Sequence, residues 1–376
     1  MGRLSTLGKR VGDMSFVAGG GVINWFPGHM AAGARAIRDR LKLTDLVIEV
    51  RDARIPLSSA NEDLQHLLVR KRRIIALNKK DLANPNVMHH WIRRFESFKQ
   101  DCLSINAHSK SSVNQLLSLV ELKLREVISR EPTLLVMVVG VPNVGKSALI
   151  NSISQIATTR FPAQEKGKRA TVGPFPGVTQ DIAGFKIANQ PSIYVLDTPG
   201  VLAPSIPNIE TGLKLAVTGA VKDSVAGEVR LAQYLLAVLN LRRTPLQWDR
   251  LLKERAIESP NETIGTVENV LKHSIPNRRN RKNAYEAVYI EDLVKSVQKT
   301  LYITFSEFEG NLEEENELES LIHKQLMALQ KTFRIPHFDS DEAFIKVSKK
   351  LLILFRAGKL GTFILDDLSD SSKPLT

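Results

Sequence analysis

The sequence predicts an α/β fold, a parallel sheet covered by helices, followed by a smaller helical domain. Three observations predict it. Short β-rich runs alternate with helical stretches through the first half of the chain. The chemically distinctive motifs of that half fall in loops just after those runs, where ligands bind in parallel sheets. From about Asn208 the patterning becomes almost wholly helical.

The predicted strands are 46–50, 74–77, 103–105, 134–139 and 193–196, rich in Val, Ile and Leu. Between them, apolar residues recur at helical spacing in 32–43, 61–69, 87–98, 113–128 and 147–153. Strands separated by helices pair in parallel, with helices on both faces. Further helices are expected at 209–220, 226–240, 265–273, 286–302, 312–331 and 341–357, with 276–283 (Pro-Asn-Arg-Arg-Asn-Arg-Lys-Asn) as a basic loop between two of them. The expected organisation is a flexible or targeting segment over 1–22, an α/β domain over 23–205, and a helical domain over 206–376.

Composition narrows the function classes. No apolar run approaches the ~18 residues needed to cross a bilayer. The lone Cys102 excludes an intramolecular disulfide and a cysteine-rich zinc site, and suits a reducing compartment. The formal charge of +12 is unevenly placed: residues 1–200 hold 28 Lys and Arg against 16 Asp and Glu, and residues 201–376 hold 24 against 24. An excess confined to one half points to a polyanionic partner, nucleic acid first, with a solubilising surface as the alternative. Arg35, Arg38 and Lys42, the cluster 70–73 (Arg-Lys-Arg-Arg) and the cluster 166–169 (Lys-Gly-Lys-Arg) are the candidate RNA contacts. Residues 1–22 carry Arg3, Lys9 and Arg10 against only Asp13, a composition shared by organelle-targeting segments and flexible extensions.

Residues 140–147 (Gly-Val-Pro-Asn-Val-Gly-Lys-Ser) match the phosphate-loop pattern G-x-x-x-x-G-K-[ST] in full, between a predicted strand and a predicted helix. Backbone N–H groups and the helix N-terminus there meet phosphate charge. The candidate contacts are Asn143, Val144, Gly145, Lys146, Ser147 and Ala148. Lys146 supplies a cation to the outer phosphates, and the Ser147 hydroxyl can ligate Mg²⁺. Downstream, residues 197–200 (Asp-Thr-Pro-Gly) close another strand. Asp197 can hold Mg²⁺ through water, and the Gly200 N–H can approach the γ-phosphate. Between the two loops, Thr179 in 176–180 (Pro-Gly-Val-Thr-Gln) is a candidate second metal ligand on a mobile loop.

The base is read elsewhere. In 78–81 (Asn-Lys-Lys-Asp), the Asp81 carboxylate can accept from guanine N1–H and its exocyclic amine. Adenine lacks that donor pair and would leave the carboxylate unpaired. The Lys79 stem can lie along the base, while Asn78 ties neighbouring loops together. Residues 104–107 (Ser-Ile-Asn-Ala), with Asn106 and Ala107, could present a backbone N–H to guanine O6. Together these motifs make GTP the nucleotide. Their order is inverted: the base-reading motif precedes the phosphate loop, where ordinary GTPases run the other way.

With 25–30 (Trp-Phe-Pro-Gly-His-Met), 52–54 (Asp-Ala-Arg) and the ending 358–365 added to these motifs, the sequence resembles the circularly permuted ribosome-assembly GTPases, particularly the mitochondrial ribosome-associated branch. The resemblance covers residues 23–220 closely. It implies a circularly permuted P-loop GTPase domain followed by a smaller helical domain, and a hydrolysing switch that is weak alone and stimulated by ribosomal subunits. It further implies the large ribosomal subunit and its rRNA as partners, and a monomer in the mitochondrion, in the matrix or at the inner membrane. Another organelle or the cytoplasm is the alternative location. Where the family has Ser-Ala, this chain has Asn106-Ala107.

The residue after Gly200, where many GTPases carry a water-positioning glutamine, is Val201. The resemblance offers His29 as the substitute, against a plain role in packing or capping the helix after it. Asn143 resembles the asparagine of potassium-stimulated GTPases, which implies K⁺ beside Mg²⁺; a loop-stabilising side chain is the alternative. Two other functions stay open: a GTP-binding RNA scaffold with little hydrolysis, and a regulatory GTPase acting on a protein or membrane partner.

Overall fold

The computed structural model describes residues 35, 37–61, 65, 68, 71–128, 133–160, 184–189, 192–198, 200, 206, 208–249, 278–336 and 340–368. The chain divides into two compact units, residues 1–227 with 361–376, and residues 228–360. The expected border at 205/206 therefore moves downstream, and the chain end joins the first unit. Both differences come from short segments whose packing partners are distant in sequence.

The first unit is built on a six-stranded sheet. Its strands are β1 (Leu46–Asp52), β2 (Arg72–Asn78), β3 (Asp101–Ser104), β4 (Thr133–Val139), β5 (Gly184–Asn189) and β6 (Ser192–Leu196), in the order β3-β2-β1-β4-β6-β5. The first four and β6 are mutually parallel, and β5 lies antiparallel on the edge. β1 pairs with both β2 and β4 and is buried along its whole length, so that even its charged residues Glu49, Arg51 and Asp52 lie out of solvent. Around it pack helices α1 (Pro85–Ser97), α2 (Lys110–Ile128), α3 (Lys146–Arg160), α4 (Ile209–Val217) and the single turn α5 (Asp223–Ala226), with a 3-10 turn at Lys80–Leu82.

Local chemistry sets several boundaries. Asn84 caps α1 by accepting from the N–H groups of Asn86 and Val87, and Pro85 at the first helical position needs no partner for a missing N–H. The buried face of α1, Met88, Trp91 and Phe95, packs with Ala53, Ile75, Leu77, Ala83 and Ile364.

Glu49, inside β1, is buried yet fully occupied. Arg51 Nε donates to it at 2.8 Å, Gln65 at 3.0 Å and Arg73 at 3.2 Å. Those two guanidinium charges hold its carboxyl below its ordinary range, against the opposing effect of burial. Arg73 also donates twice to Gln100, and Lys71 donates to the Thr44 carbonyl at 2.9 Å. The cluster 70–73 is thus largely turned to structural work: of its described members only Arg72 is exposed. Arg35, Arg38 and Lys42 are exposed, as expected.

The second unit is helical: α6 (Glu228–Leu241), a 3-10 turn (Thr244–Trp248), α7 (Arg278–Ser306), α8 (Glu315–Thr332) and α9 (Ser340–Arg356). Leu231, Leu235, Val297, Leu301, Leu321, Leu329, Val347 and Leu351 are among its buried residues. Asn240 and Gln325 exchange two amide hydrogen bonds of 2.8 and 2.9 Å inside that core, so neither polar side chain is left unpaired there. α7 begins at Arg278, inside the expected basic loop. Arg and Lys are good helix formers, so a basic stretch after Pro276 starts this helix rather than interrupting it.

Candidate nucleotide-binding site

Because five strands run parallel, the loops after β1, β2, β3, β4 and β6 leave the sheet at the same edge. These loops carry 52–54, 78–81, 104–107, 140–147 and 197–200, in that order. Strands are added outward to one side up to β3 and then to the other side from β4, so the phosphate loop opens at a switch point in strand order, the usual place for a ligand crevice.

Asn78 joins the base loop to the phosphate loop. Its Nδ2 donates to the Val144 carbonyl at 2.8 Å, and its Oδ1 accepts from the Ala107 N–H at 2.9 Å. A Cβ at Gly145 would collide with this Asn78 amide, and Gly145 also holds φ 95°, so both space and backbone call for glycine. Lys79 sits in the left-handed region at φ 63°. Its ammonium donates to the Asn143 carbonyl at 2.6 Å and to Asp52 Oδ2 at 2.9 Å. Asp81 is exposed on the 3-10 turn Lys80–Leu82, whose first N–H donates to the Ile105 carbonyl at 3.1 Å.

The loop after β3 is arranged differently from the simplest expectation. Ala107 N–H donates to Asn78, and Asn106 N–H donates to Ser112 Oγ at 3.1 Å. Both N–H groups are thus engaged within the protein, and the loop's visible work is to brace Asn78. Ser152 Oγ, from α3, donates to the Ala107 carbonyl and closes the brace.

At the phosphate end, Lys146 opens α3, with Ser147 and Ala148 half-buried behind it. Lys146 is buried and donates to the Val141 carbonyl at 2.9 Å. Gly200 lies directly against this loop: a Cβ there would stand 2.7 Å from Pro142 Cα and 2.9 Å from Lys146 Nζ. Burial pushes the Lys146 ammonium down to about 8, opposed by the Asp197 carboxylate. Burial pushes Asp197 up to about 6, opposed by Lys146 and by the Thr198 N–H. A triphosphate and a divalent cation would bring each group the counter-charge it lacks.

Asp197 Oδ1 is buried with no hydrogen-bond partner among the described residues. An orphaned carboxylate oxygen at the end of β6, together with the Ser147 hydroxyl, is a fitting donor set for Mg²⁺. Asp197 and Ser147 would hold the ion, and it would neutralise charge building on the outer phosphates. Asn143 stands at φ 56°, and its Nδ2 donates to the Gly219 carbonyl at 2.8 Å, the loop-stabilising role weighed above for this side chain. His29, Thr179, Val201 and the cluster 166–169 lie outside the described residues, as does segment 1–22.

Asp52 and Arg54, quoted above only for the resemblance, stand at the centre of the site's hydrogen-bond network. Arg54 Nε and Nη2 grip the two Asp52 oxygens at 2.9 and 2.8 Å, and Arg54 N–H adds a third bond at 3.0 Å. The Arg54 and Lys79 charges hold the Asp52 carboxyl well below its usual range despite complete burial. Its position was readable in principle: Asp52 ends β1 level with Asn78 at the end of β2.

Comparison with known proteins finds relatives over most of the chain. A family described as 50S ribosome-binding GTPase matches residues 135–271. The chain is 66% identical over 362 residues, 96% of its length and 93% of the relative's, to Short integuments 2, mitochondrial, of Arabidopsis thaliana. DAR GTPase 2, mitochondrial, of the same plant is 39% identical over 94% of this chain and 92% of its own. Mitochondrial ribosome-associated GTPase 1 of Mus musculus is 42% identical over 58% of this chain and 67% of its own.

Proposed function

This chain belongs to the circularly permuted ribosome-assembly GTPases, in the mitochondrial ribosome-associated branch, and from that premise we propose that it is a GTP-driven switch in maturation of the mitochondrial large ribosomal subunit. The observation that carries the reading is the Asn78 bridge. One side chain fastens the base-reading loop to the phosphate loop, so motifs in inverted order form a single site.

In this reading Lys146 and the backbone N–H groups of 143–148 orient the phosphates, and Asp81 selects guanine. Asp197, Ser147 and Thr179 hold Mg²⁺. His29, reaching in from the segment before β1, orients the attacking water in place of the missing glutamine. K⁺ near Asn143 adds positive charge at the developing phosphate charge. The exposed Arg35, Arg38 and Lys42, together with the basic stretch 166–169, engage rRNA phosphates, and the helical unit contributes further rRNA contacts. The protein acts as a monomer. The mitochondrial names of the plant relatives support the location.

The test is sedimentation with mitochondrial large-subunit precursors, paired with hydrolysis measured with and without them. Retention with a non-hydrolysable GTP analogue, release with GDP and faster hydrolysis on the subunit are expected. Binding indifferent to the nucleotide, with no stimulation, would contradict the switch.

A further inference from the structure

Residues 363–368 follow the last helix of the second unit in sequence, yet they pack in the first. Their contacts there are concentrated. Phe363 N–H donates to the Leu82 carbonyl at 3.1 Å, at the end of the turn that carries Asp81. Leu365 N–H donates to the Arg54 carbonyl at 2.7 Å, and Arg54 grips Asp52, which in turn holds Lys79. Between these two ties, Ile364 is buried in one apolar cluster with Ala53 and Ala83, the residues that follow Asp52 and Leu82. The segment therefore meets the base-reading turn directly at Leu82 and reaches Lys79 through Arg54 and Asp52.

Asp366 fastens it. Its Oδ2 accepts from the Leu57 and Ser58 N–H groups at 2.7 and 2.9 Å, and its Oδ1 from the Ser58 hydroxyl at 2.6 Å. Lys214, itself paired with Glu210 at 2.8 Å, adds its charge at 3.3 Å. A carboxylate only 5% exposed and met by four donors is a strong anchor, since charge-assisted bonds are about twice as strong as neutral ones. Arg94 adds a further tie, donating to the Leu368 carbonyl at 2.7 Å.

We propose that Asp366 is a positioning residue for guanine recognition, anchoring 363–368 as a strap that braces the Lys79 and Asp81 turn from behind. The proposal rests on the guanine-reading assignment of residues 78–81. Asp366 acts at a distance from the base, through the Leu82 carbonyl and through the Arg54–Asp52–Lys79 chain. A loosened strap lets Asp81 drift, and the cost falls on the hydrogen bonds that distinguish one base from another.

The measurement is the ratio of GDP to inosine diphosphate affinity, by displacement of a fluorescent nucleotide from the full chain. Inosine lacks the exocyclic amine that Asp81 accepts, so the ratio reports placement of that carboxylate. A general loss of stability, or damage at the phosphate loop, weakens both nucleotides alike. Asp366→Asn is expected to narrow the ratio by about fivefold. Ser58→Ala, which removes one donor to Asp366, is expected to narrow it by roughly twofold, and it decides the matter alone if Asp366→Asn does not fold. An unchanged ratio in the folded variants overturns the strap while leaving guanine reading intact. A wild-type chain with no preference for GDP over ADP overturns the base-reading assignment and the strap with it.

Discussion

Replacing Asn78 with alanine removes both hydrogen bonds that span the site, and the structure sets the size of the effect. The side chain is 2% exposed, and its partners Val144 and Ala107 are each 1% exposed. The Val144 carbonyl and the Ala107 N–H would be stranded inside the protein, since neither can reach solvent without moving a loop. An orphaned buried group costs ~1–3 kcal/mol, so the pair together should cost about 2–4 kcal/mol after partial relaxation. Most of that cost falls on the arrangement in which the base loop and phosphate loop face one nucleotide. At about 1.4 kcal/mol per tenfold, release of GDP should accelerate by roughly 10- to 100-fold. Stopped-flow dissociation of a fluorescent GDP measures it, with urea unfolding of the nucleotide-free protein as a companion reading. Dissociation within twofold of wild type and an unmoved unfolding midpoint would refute the bridge.

Two further outcomes follow from the electrostatics. Asp197 must be ionised to hold a cation, and its pKa of about 6 lies above the ordinary range because of burial. The carboxylate form therefore dominates above that pKa and is lost as pH falls through it, so Mg²⁺ binding in the presence of GDP should weaken about tenfold between pH 7 and 5. Asp197→Asn should leave only the part of that slope due to the nucleotide; equal slopes in both proteins would rule out Asp197 as the ligand. Asp52→Asn leaves the Arg54 and Lys79 cations beside a neutral amide, and GDP affinity should drop by about three- to tenfold through the misplaced Lys79 stem. Competition binding checks it, and unchanged affinity would show that Asn143 alone positions Lys79.

Where sequence analysis succeeded, local chemistry was sufficient. The apolar run 134–139 is the strand the pattern predicted, and the G-x-x-x-x-G-K-[ST] match after it lies between that strand and a helix, the context the motif requires. Edge strand β5 was missed because Gly184, Lys186 and Asn189 break any apolar run, and an edge strand needs none. The clusters of like charge misled for opposite reasons. Arg73 lies inside the sheet because Glu49, Gln65 and Gln100 satisfy it there, a compensation invisible without the fold. Arg278 and its neighbours begin a helix because their propensity outweighs their polarity. Asp366 was unreadable as part of the site because its role depends on partners met only where the chain end returns to the sheet, 308 residues from Ser58.

The central claim is that a base-reading loop placed before the phosphate loop serves the same nucleotide. The most direct measurement is affinity for GDP, ADP and xanthosine diphosphate in the wild-type chain and in Asp81→Asn. Xanthine carries a carbonyl where guanine carries its amine, so an amide at 81 suits it better than a carboxylate does. The wild type is predicted to prefer GDP over both others by at least about 100-fold, and the variant to reverse the order of GDP and xanthosine diphosphate. Equal binding of ADP by the wild type, or a GDP preference unmoved by the substitution, would contradict it.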